Sequence, residues 1–168
     1  MWTKLCQDHF SATVTKDCNN CGISIMNIPT LSPNHSTITK NGFKSLQHAL
    51  QFYSKIYNKK CSCGGSAIET TKLNKHIFIE LDVRLSNNLS KTKKCKLFEM
   101  PTLLTLGKTE YRLTGIAAYL PNHYLAYCWR TTNRWEVYND LSKSVQSCSS
   151  HQNIEPHAAI YIIQSKNL

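Results

Sequence analysis

Two short cysteine pairs constrain the fold of this sequence more than any other feature. Cys18 and Cys21 form a C-x-x-C pair, and Cys61 and Cys63 form a C-x-C pair forty residues later. Four thiolates from two such turns make the tetrahedral sulfur set that a structural Zn²⁺ prefers. The second pair is one residue shorter than the usual spacing, so unmetallated surface or core cysteines remain the alternative. The sequence therefore predicts a structural zinc site that joins two distant segments.

The compartment follows from the cysteines and the N-terminus. Residues 1–10 contain no apolar segment behind a basic start, which predicts no signal peptide. No apolar stretch approaches the roughly 20 residues that a membrane-spanning helix needs. Eight cysteines in a reducing compartment favour metal ligation or catalysis over disulfide bonds. We therefore expect a cytoplasmic or nuclear protein that has no membrane partner.

The charge suggests a further class of partner. The chain carries 20 Lys plus Arg against 10 Asp plus Glu, a formal charge of +10. Such a balance favours acidic partners or non-specific contact with nucleic acid. The basic residues are scattered rather than clustered, which is typical of a solvated surface. A basic zinc-ribbon protein that binds nucleic acid is kept as an alternative function, although nucleic acid is not the expected partner.

The hydrophobic pattern predicts one helix followed by many strands. Apolar residues recur near a period of 3.6 over residues 43–57, which indicates a helix with one buried face. Residues 23–41 are expected to be extended or loop, and residues 86–96 to be a polar loop. Alternating or β-branched segments predict strands over residues 76–85, 99–106, 111–120, 123–129, 134–138 and 158–163. This order predicts an α+β domain with an antiparallel sheet.

One histidine lies where a hairpin would bring an amide beside it. His123 opens a strand after the turn Pro121-Asn122, and Asn139 and Asp140 follow the next predicted strand. An imidazole oriented by a neighbouring amide can accept the proton of a thiol nucleophile. The spacing alone favours the alternative of a histidine that caps a strand, followed by an Asn-Asp turn.

Several blocks, in order, resemble the ubiquitin-specific proteases. YRLTGIAA (111–118), NHYLAY (122–127) and WEVYND (135–140) resemble the histidine box of that family, which reads Y-x-L-x-G, G-H-Y-x-A-Y and W-x-x-[FY]-[ND]-D. The closing AAIYII (158–163) resembles the last strand of the family. The cysteine pairs, the helix between them and the strand that follows resemble the family's zinc-bearing fingers.

The resemblance implies a fold and a set of roles. The expected fold is α+β: the half-fold of a papain-like cysteine protease, with an antiparallel palm sheet, zinc-ribbon fingers and one main helix. The fingers would span about 10–75, and the palm with the histidine box about 76–168. His123 matches the general base, Asn139 the residue that orients it, and Asp140 a second acidic position. Asn122 and Tyr124 match binding positions. The candidate zinc ligands are Cys18, Cys21, Cys61 and Cys63.

The implied activity is thiol-dependent deubiquitination, the hydrolysis of the isopeptide bond after the Leu-Arg-Gly-Gly tail of ubiquitin. The implied partner is ubiquitin or a ubiquitinated protein. Nothing here resembles the cysteine box of the family, since Cys6 has no preceding Asn and neither Cys128 nor Cys148 lies in a similar context. We therefore expect no isopeptidase activity from this chain alone. It is either part of an enzyme that requires a missing N-terminal protease half, or a non-catalytic module that binds ubiquitin or another protein.

Overall fold

The computed structural model describes residues 8–85 and 88–164, and the side chains of residues 85 and 88–90 are not described. In the N-terminal half, alternating β-branched segments form a four-stranded antiparallel sheet, which we call the finger sheet. Its strands are β1 (Ala12–Cys18), β2 (Gly22–Ile28), β3 (Tyr57–Lys60) and β4 (Ser66–Leu73). The strand order is β2-β1-β4-β3, so the turns that carry the two cysteine pairs lie at the same end of the sheet.

A second antiparallel sheet of seven strands, the palm sheet, carries most of the C-terminal half. Its strands are β5 (His76–Glu80), β9 (Leu103–Leu106), β10 (Thr109–Leu120), β11 (His123–Trp129), β12 (Trp135–Tyr138), β13 (Gln146–Cys148) and β15 (Pro156–Ile163). The order is β13-β12-β11-β10-β15-β5, with β9 paired to β10. The antiparallel palm sheet and the strands predicted over residues 111–120, 123–129 and 158–163 are thus confirmed.

Short strands complete the described part. They are β6 (Arg84–Leu85), β7 (Asn88–Thr92), β8 (Cys95–Lys96) and β14 (Asn153–Ile154), and they pair as β6-β7 and β8-β14. The strand predicted over 76–85 is therefore interrupted after Glu80. The loop predicted over 86–96 contains two strands, and residues 86–87 lie outside the described part. The strand predicted over 99–106 begins only at Leu103, after a 3-10 turn at Leu97–Glu99.

The prediction of one continuous helix over residues 43–57 is wrong. A short helix (Leu46–Leu50), here called α2, lies in this range with 3-10 turns on both sides, and another short helix, α1 (His35–Asn41), precedes the range. The later apolar residues of the pattern do not continue the buried helical face. Ile56 is 71% exposed, and the chain enters β3 directly after it. Helix α1 lies in a segment predicted to be extended or loop. It begins at the cap residue Asn34, whose side chain accepts from the Thr37 backbone N–H.

One hydrophobic core lies between the palm sheet and the helices. Tyr111 and Tyr161 are fully buried within it, and Tyr161 donates a 2.7 Å hydrogen bond to the carbonyl of Pro101. Leu46 and Leu50 of α2 belong to the same core, although they lie within the numbering range predicted for the fingers. The boundary between fingers and palm near residue 75 stays a prediction. No helix in residues 8–85 or 88–164 is long and apolar enough to cross a membrane.

Candidate functional site

The four cysteines of the two pairs come together at one end of the finger sheet. The Sγ atoms of Cys18 and Cys63 are 3.5 Å apart, those of Cys21 and Cys61 are 3.6 Å apart, and all four lie within 4.8 Å of one another. Zinc–sulfur bonds of 2.3 Å in a tetrahedron place the sulfurs about 3.8 Å apart. The sulfur separations therefore fit a tetrahedral metal site with four thiolate ligands.

Hydrogen bonds join the two cysteine turns and shape the second of them. The Asn19 side chain accepts from the Ser66 N–H at 2.9 Å, and the Gly64 N–H donates to the Cys61 carbonyl at 3.0 Å. Gly65 has no room for a side chain, because a Cβ there would lie 2.5 Å from the Asn19 oxygen. Cys18 and Cys61 are buried, whereas Cys21 and Cys63 are exposed. Four protein ligands leave no open coordination position, so a metal here would act in folding rather than in catalysis.

The electrostatics of the cluster favour a cation. The Cys63 backbone N–H and the Lys16 side chain lower the pKa of the Cys61 thiol to about 5. The neighbouring Cys18 raises the pKa of the Cys21 thiol to about 12. Without a cation the cluster therefore cannot ionise all of its thiols near neutral pH. A metal ion removes this conflict, because a coordinating thiol is deprotonated outright.

The hairpin of β11 and β12 brings the predicted histidine and amide together. His123 Nε2 lies 2.8 Å from Asn139 Oδ1, and the same oxygen accepts from the Leu141 N–H at 3.0 Å. An amide oxygen is an acceptor, so Nε2 of His123 donates and a neutral ring keeps Nδ1 free of a proton. Asp140 Oδ1 lies 3.4 Å from the same Nε2, but its side chain is 81% exposed. The arrangement can orient an imidazole as a base.

Turn geometry sets the position of His123. Asn122 has a φ of 63°, in the left-handed region that asparagine tolerates better than most residues. The turn it forms reverses the chain so that Leu120 on β10 pairs with His123 on β11. Asn122 itself is exposed, and it is not among the residues that line the neighbouring groove.

A groove of about 520 Å³ lies beside this dyad. The residues that line it include the small residues Ala117 and Ala126 of the palm sheet. Tyr124 and Tyr138 form aromatic walls, and the groove runs to Asn139 and Asp140. The lining of the groove therefore combines small, aromatic and polar residues.

No cysteine in the described residues lies next to His123. Cys128 is on the same strand, but five residues along a strand correspond to roughly 16 Å. Cys95 is buried, and burial raises its pKa to about 12. The Cys148 thiol donates to the Ser149 carbonyl at 3.5 Å on β13, and Cys6 lies outside the described residues.

Sequence reasoning missed two polar groups close to the groove. Arg130 Nε donates to Glu136 at 2.6 Å and also bonds the Tyr138 hydroxyl, which donates to Glu136 at 3.1 Å. The strand alternation that predicted the hairpin could have placed Glu136 and Tyr138 on one face. His157 is buried and contacts Tyr124, and no local pattern in the sequence marks this pair.

Comparison with known proteins gives one relative in sequence and several in structure. No family model matches the chain. A 120.7 kDa protein in the NOF-FB transposable element of Drosophila melanogaster is 25% identical over 125 residues, which is 66% of this chain and 12% of that protein. The chain therefore spans about an eighth of the length of this relative, as estimated from the covered share.

Several of the structural neighbours are SAGA DUB modules. The yeast module with a mutated Sgf73 subunit has a TM-score of 0.54 at 22% identity, covering 94% of this chain and 41% of that chain. The Ubp8/Sgf11/Sus1/Sgf73 module has a TM-score of 0.55 at 23% identity, with 94% and 38% covered. A module bound to monoubiquitin has a TM-score of 0.53 at 20% identity, with 94% and 41% covered.

These likenesses show that the chain shares its fold with a part of these modules. Nearly the whole chain takes part in the match, so the palm and finger sheets both belong to the shared architecture. The chain spans about two fifths of the length of these neighbours. At this level of identity, the comparison concerns the fold alone.

Proposed function

We propose that this chain is the fingers-and-palm part of a ubiquitin-specific-protease-like domain that binds the C-terminal region of ubiquitin. The observation that carries the proposal is the 2.8 Å contact between His123 and Asn139, and Asn139 lines the groove. The pair can act as a base and its orienting residue, and it lies in a deubiquitinase-like fold. Together these two features support ubiquitin, rather than an unrelated protein, as the partner. The neighbour bound to monoubiquitin adds support.

The metal of the finger sheet is proposed to be Zn²⁺ with a structural role. Four thiolates at tetrahedral separations suit zinc, which binds sulfur and has no geometric preference of its own. Cys18, Cys21, Cys61 and Cys63 would hold it. Once bound, it would join the turn after β1 to the turn after β3.

Hydrolysis is proposed to require a cysteine from outside this chain. A histidine base without an attacking sulfur cannot form the covalent thioester of a thiol protease. In the part of the chain that the structure describes, no cysteine faces His123, and the chain corresponds to only two fifths of its structural neighbours. A missing N-terminal protease half could supply the nucleophile, or the module could bind ubiquitin without cleaving it.

Two other sequence-based expectations remain part of the proposal. Cytoplasm or nucleus is the proposed compartment, because a zinc site with four thiolates requires reduced cysteines. Nucleic acid is not the proposed partner, since the +10 charge is spread along the chain. Binding to nucleic acid would fall steeply with salt, so salt dependence separates this alternative from ubiquitin binding.

The test combines a titration with a labelling reaction on the full, zinc-loaded chain. Ubiquitin is titrated and binding is followed by NMR, and in parallel ubiquitin with a C-terminal electrophile is added. We expect saturable binding and no covalent adduct. Absence of binding would contradict the proposed partner, and an adduct would contradict the proposed need for an outside cysteine.

The matched control for the labelling reaction is His123→Ala. An adduct that persists in this variant would come from a cysteine that does not use the His123–Asn139 pair. Such a result would also contradict the role proposed for His123.

A further inference from the structure

The buried histidine His157 lies against one wall of the groove. It is the second residue of β15 and only 8% exposed, and its carbonyl accepts from the Leu81 N–H at 2.8 Å. Its ring stacks on Tyr119 with centroids 5.1 Å apart and an interplanar angle of 13°. It meets Tyr124 edge-on at 5.6 Å, so two aromatic rings fix the imidazole plane.

The two ring nitrogens of His157 have different surroundings. Nδ1 lies 3.1 Å from the Tyr124 hydroxyl. Nε2 is buried and, among the described residues, has no hydrogen-bond partner. It faces two carboxylates instead, Glu155 at 3.8 Å and Asp82 at 3.9 Å.

The carboxylates are themselves paired with cations. Arg84 contacts Asp82 at 2.6 Å, and Lys94 contacts Glu155 at 3.7 Å. The Thr92 hydroxyl also donates to Asp82 at 3.4 Å. The environment of Nε2 is therefore a ring of charged groups rather than an apolar pocket.

This asymmetry sets the tautomer of a neutral His157. A nitrogen lone pair that faced two carboxylates would be repelled, whereas an N–H there is attracted. The proton therefore belongs on Nε2, and Nδ1 becomes the acceptor of the Tyr124 hydroxyl. Once Tyr124 donates to His157, every other partner of that hydroxyl must itself be a donor.

We propose that His157 is a positioning residue for ligand binding in the groove. It holds the Tyr124 ring as a groove wall and makes the Tyr124 hydroxyl an acceptor, which favours a ligand with backbone N–H donors. An extended peptide with small residues, such as the Gly-Gly end of the ubiquitin tail, has this chemistry. The identity of the ligand rests on the proposed function, whereas the tautomer of His157 does not.

The first test is long-range ¹H–¹⁵N NMR of the histidine rings in the full, zinc-loaded chain at about pH 8, well above the ordinary pKa of histidine. The His157 signals are assigned by their loss in His157→Gln. The expected result is the Nε2–H tautomer, with an Nδ1 shift that changes in Tyr124→Phe because the donor is lost. An Nδ1–H tautomer, or an Nδ1 shift unaffected in Tyr124→Phe, would overturn the inference.

The second test compares binding of ubiquitin with binding of ubiquitin that lacks its last two glycines. The ratio of the two affinities isolates the contribution of the tail. One hydrogen bond is worth about fivefold in affinity, so Tyr124→Phe and His157→Gln should each reduce the ratio by about that factor. The double variant should lose no more than either single variant, because both changes remove one linked interaction.

The matched control is His151→Gln, which changes an exposed histidine packed against Phe98 and should leave the ratio unchanged. Additive losses in the double variant, or an unchanged ratio in His157→Gln, would overturn the positioning role. If wild-type chain does not bind ubiquitin, the proposed function fails and the NMR tautomer still decides the role of His157. If His157→Gln does not fold, His157→Asn supplies the assignment of the His157 signals, and the Tyr124→Phe spectrum then decides the tautomer.

Discussion

The finger sheet and the palm sheet are held together by different forces. Within the described residues, the buried cluster at the cysteine end of the finger sheet consists of Cys18, Cys61 and Ala67, so two of its three members are candidate metal ligands. The palm sheet packs against helices and encloses aromatic residues as large as Tyr111 and Tyr161. With the proposed metal bound, the cysteine end of the finger sheet would obtain from metal ligation what the palm sheet obtains from hydrophobic burial.

The strongest way to separate the two regions is to remove the metal. Cys61→Ser should unfold the cysteine end of the finger sheet, because structural zinc in small sites contributes on the order of 10 kcal/mol. Hydrogen exchange should show lost protection in β1, β3 and β4, while β10 and β15 stay protected. A chelator should give the same pattern in the wild-type chain.

Cys148→Ser is the matched control, since Cys148 lies on β13 and is not one of the four clustered cysteines. It should keep the protection of the finger sheet and the metal content of the wild type. Unchanged hydrogen exchange in Cys61→Ser, or an equal loss of protection in Cys61→Ser and Cys148→Ser, would contradict the difference proposed between the finger sheet and the palm sheet.

The second prediction tests the palm core. Leu46 is fully buried in α2, so Leu46→Ala should lower the free energy of unfolding by about 2–5 kcal/mol. Denaturant unfolding measures this loss, and the metal content should not change. Leu141→Ala, at a position 79% exposed, should change the free energy by less than about 0.5 kcal/mol. Equal effects at the two positions would contradict the assigned core.

The third prediction concerns alkaline pH. Burial raises the pKa of Tyr111 to about 12, above its ordinary value of 10.0. An acid with a raised folded pKa contributes stability that is fully present below the unfolded pKa and is lost as pH rises through the folded pKa. The palm should therefore lose stability between about pH 10 and 12.

Tyr111→Phe should weaken this alkaline loss, as measured by denaturant unfolding across that pH range. At neutral pH the variant should lose only about 1 kcal/mol, for the 2.9 Å hydrogen bond to the Asn74 carbonyl. If Tyr111→Phe loses as much stability at alkaline pH as the wild type does, groups other than Tyr111 cause the loss.

Much of the palm could be predicted from local patterns, and the parts that could not depend on distant contacts. The strand patterns of β11 and β12 predicted the hairpin that brings Asn139 to His123. The apolar period through residues 43–57 was misleading, because its later members belong to the link to β3. Helix α1 has a recognisable cap at Asn34, but its single buried residue, Ile38, gives no amphipathic pattern.

The candidate sites show the same division. The four cysteines could be predicted as one cluster because two short turns fix their spacing. His157 could not be related to Tyr124, since the contact spans 33 residues and depends on the register between β10 and β15. Of the two carboxylates near His157, Glu155 is only two residues away in sequence, whereas Asp82 comes from a distant segment of the chain.

The fourth prediction has the smallest effect on stability. Asn139→Ala removes the acceptor of His123 and should cost only about 1 kcal/mol, because both groups remain partly accessible to water. The ring should nevertheless lose its single orientation, which NMR would detect as a mixture of tautomers. Asp140→Asn should leave the His123 tautomer unchanged, since Asp140 is 81% exposed. A single unchanged tautomer in Asn139→Ala would contradict the orienting role.

The most direct test of the account follows the backbone amides of the full, ¹⁵N-labelled, zinc-loaded chain during addition of ubiquitin. We predict saturable shifts at residues 122–126 and 138–140, which surround the His123–Asn139 pair and the groove. A spectrum of a folded chain in which these amides do not move as ubiquitin is added would contradict the account.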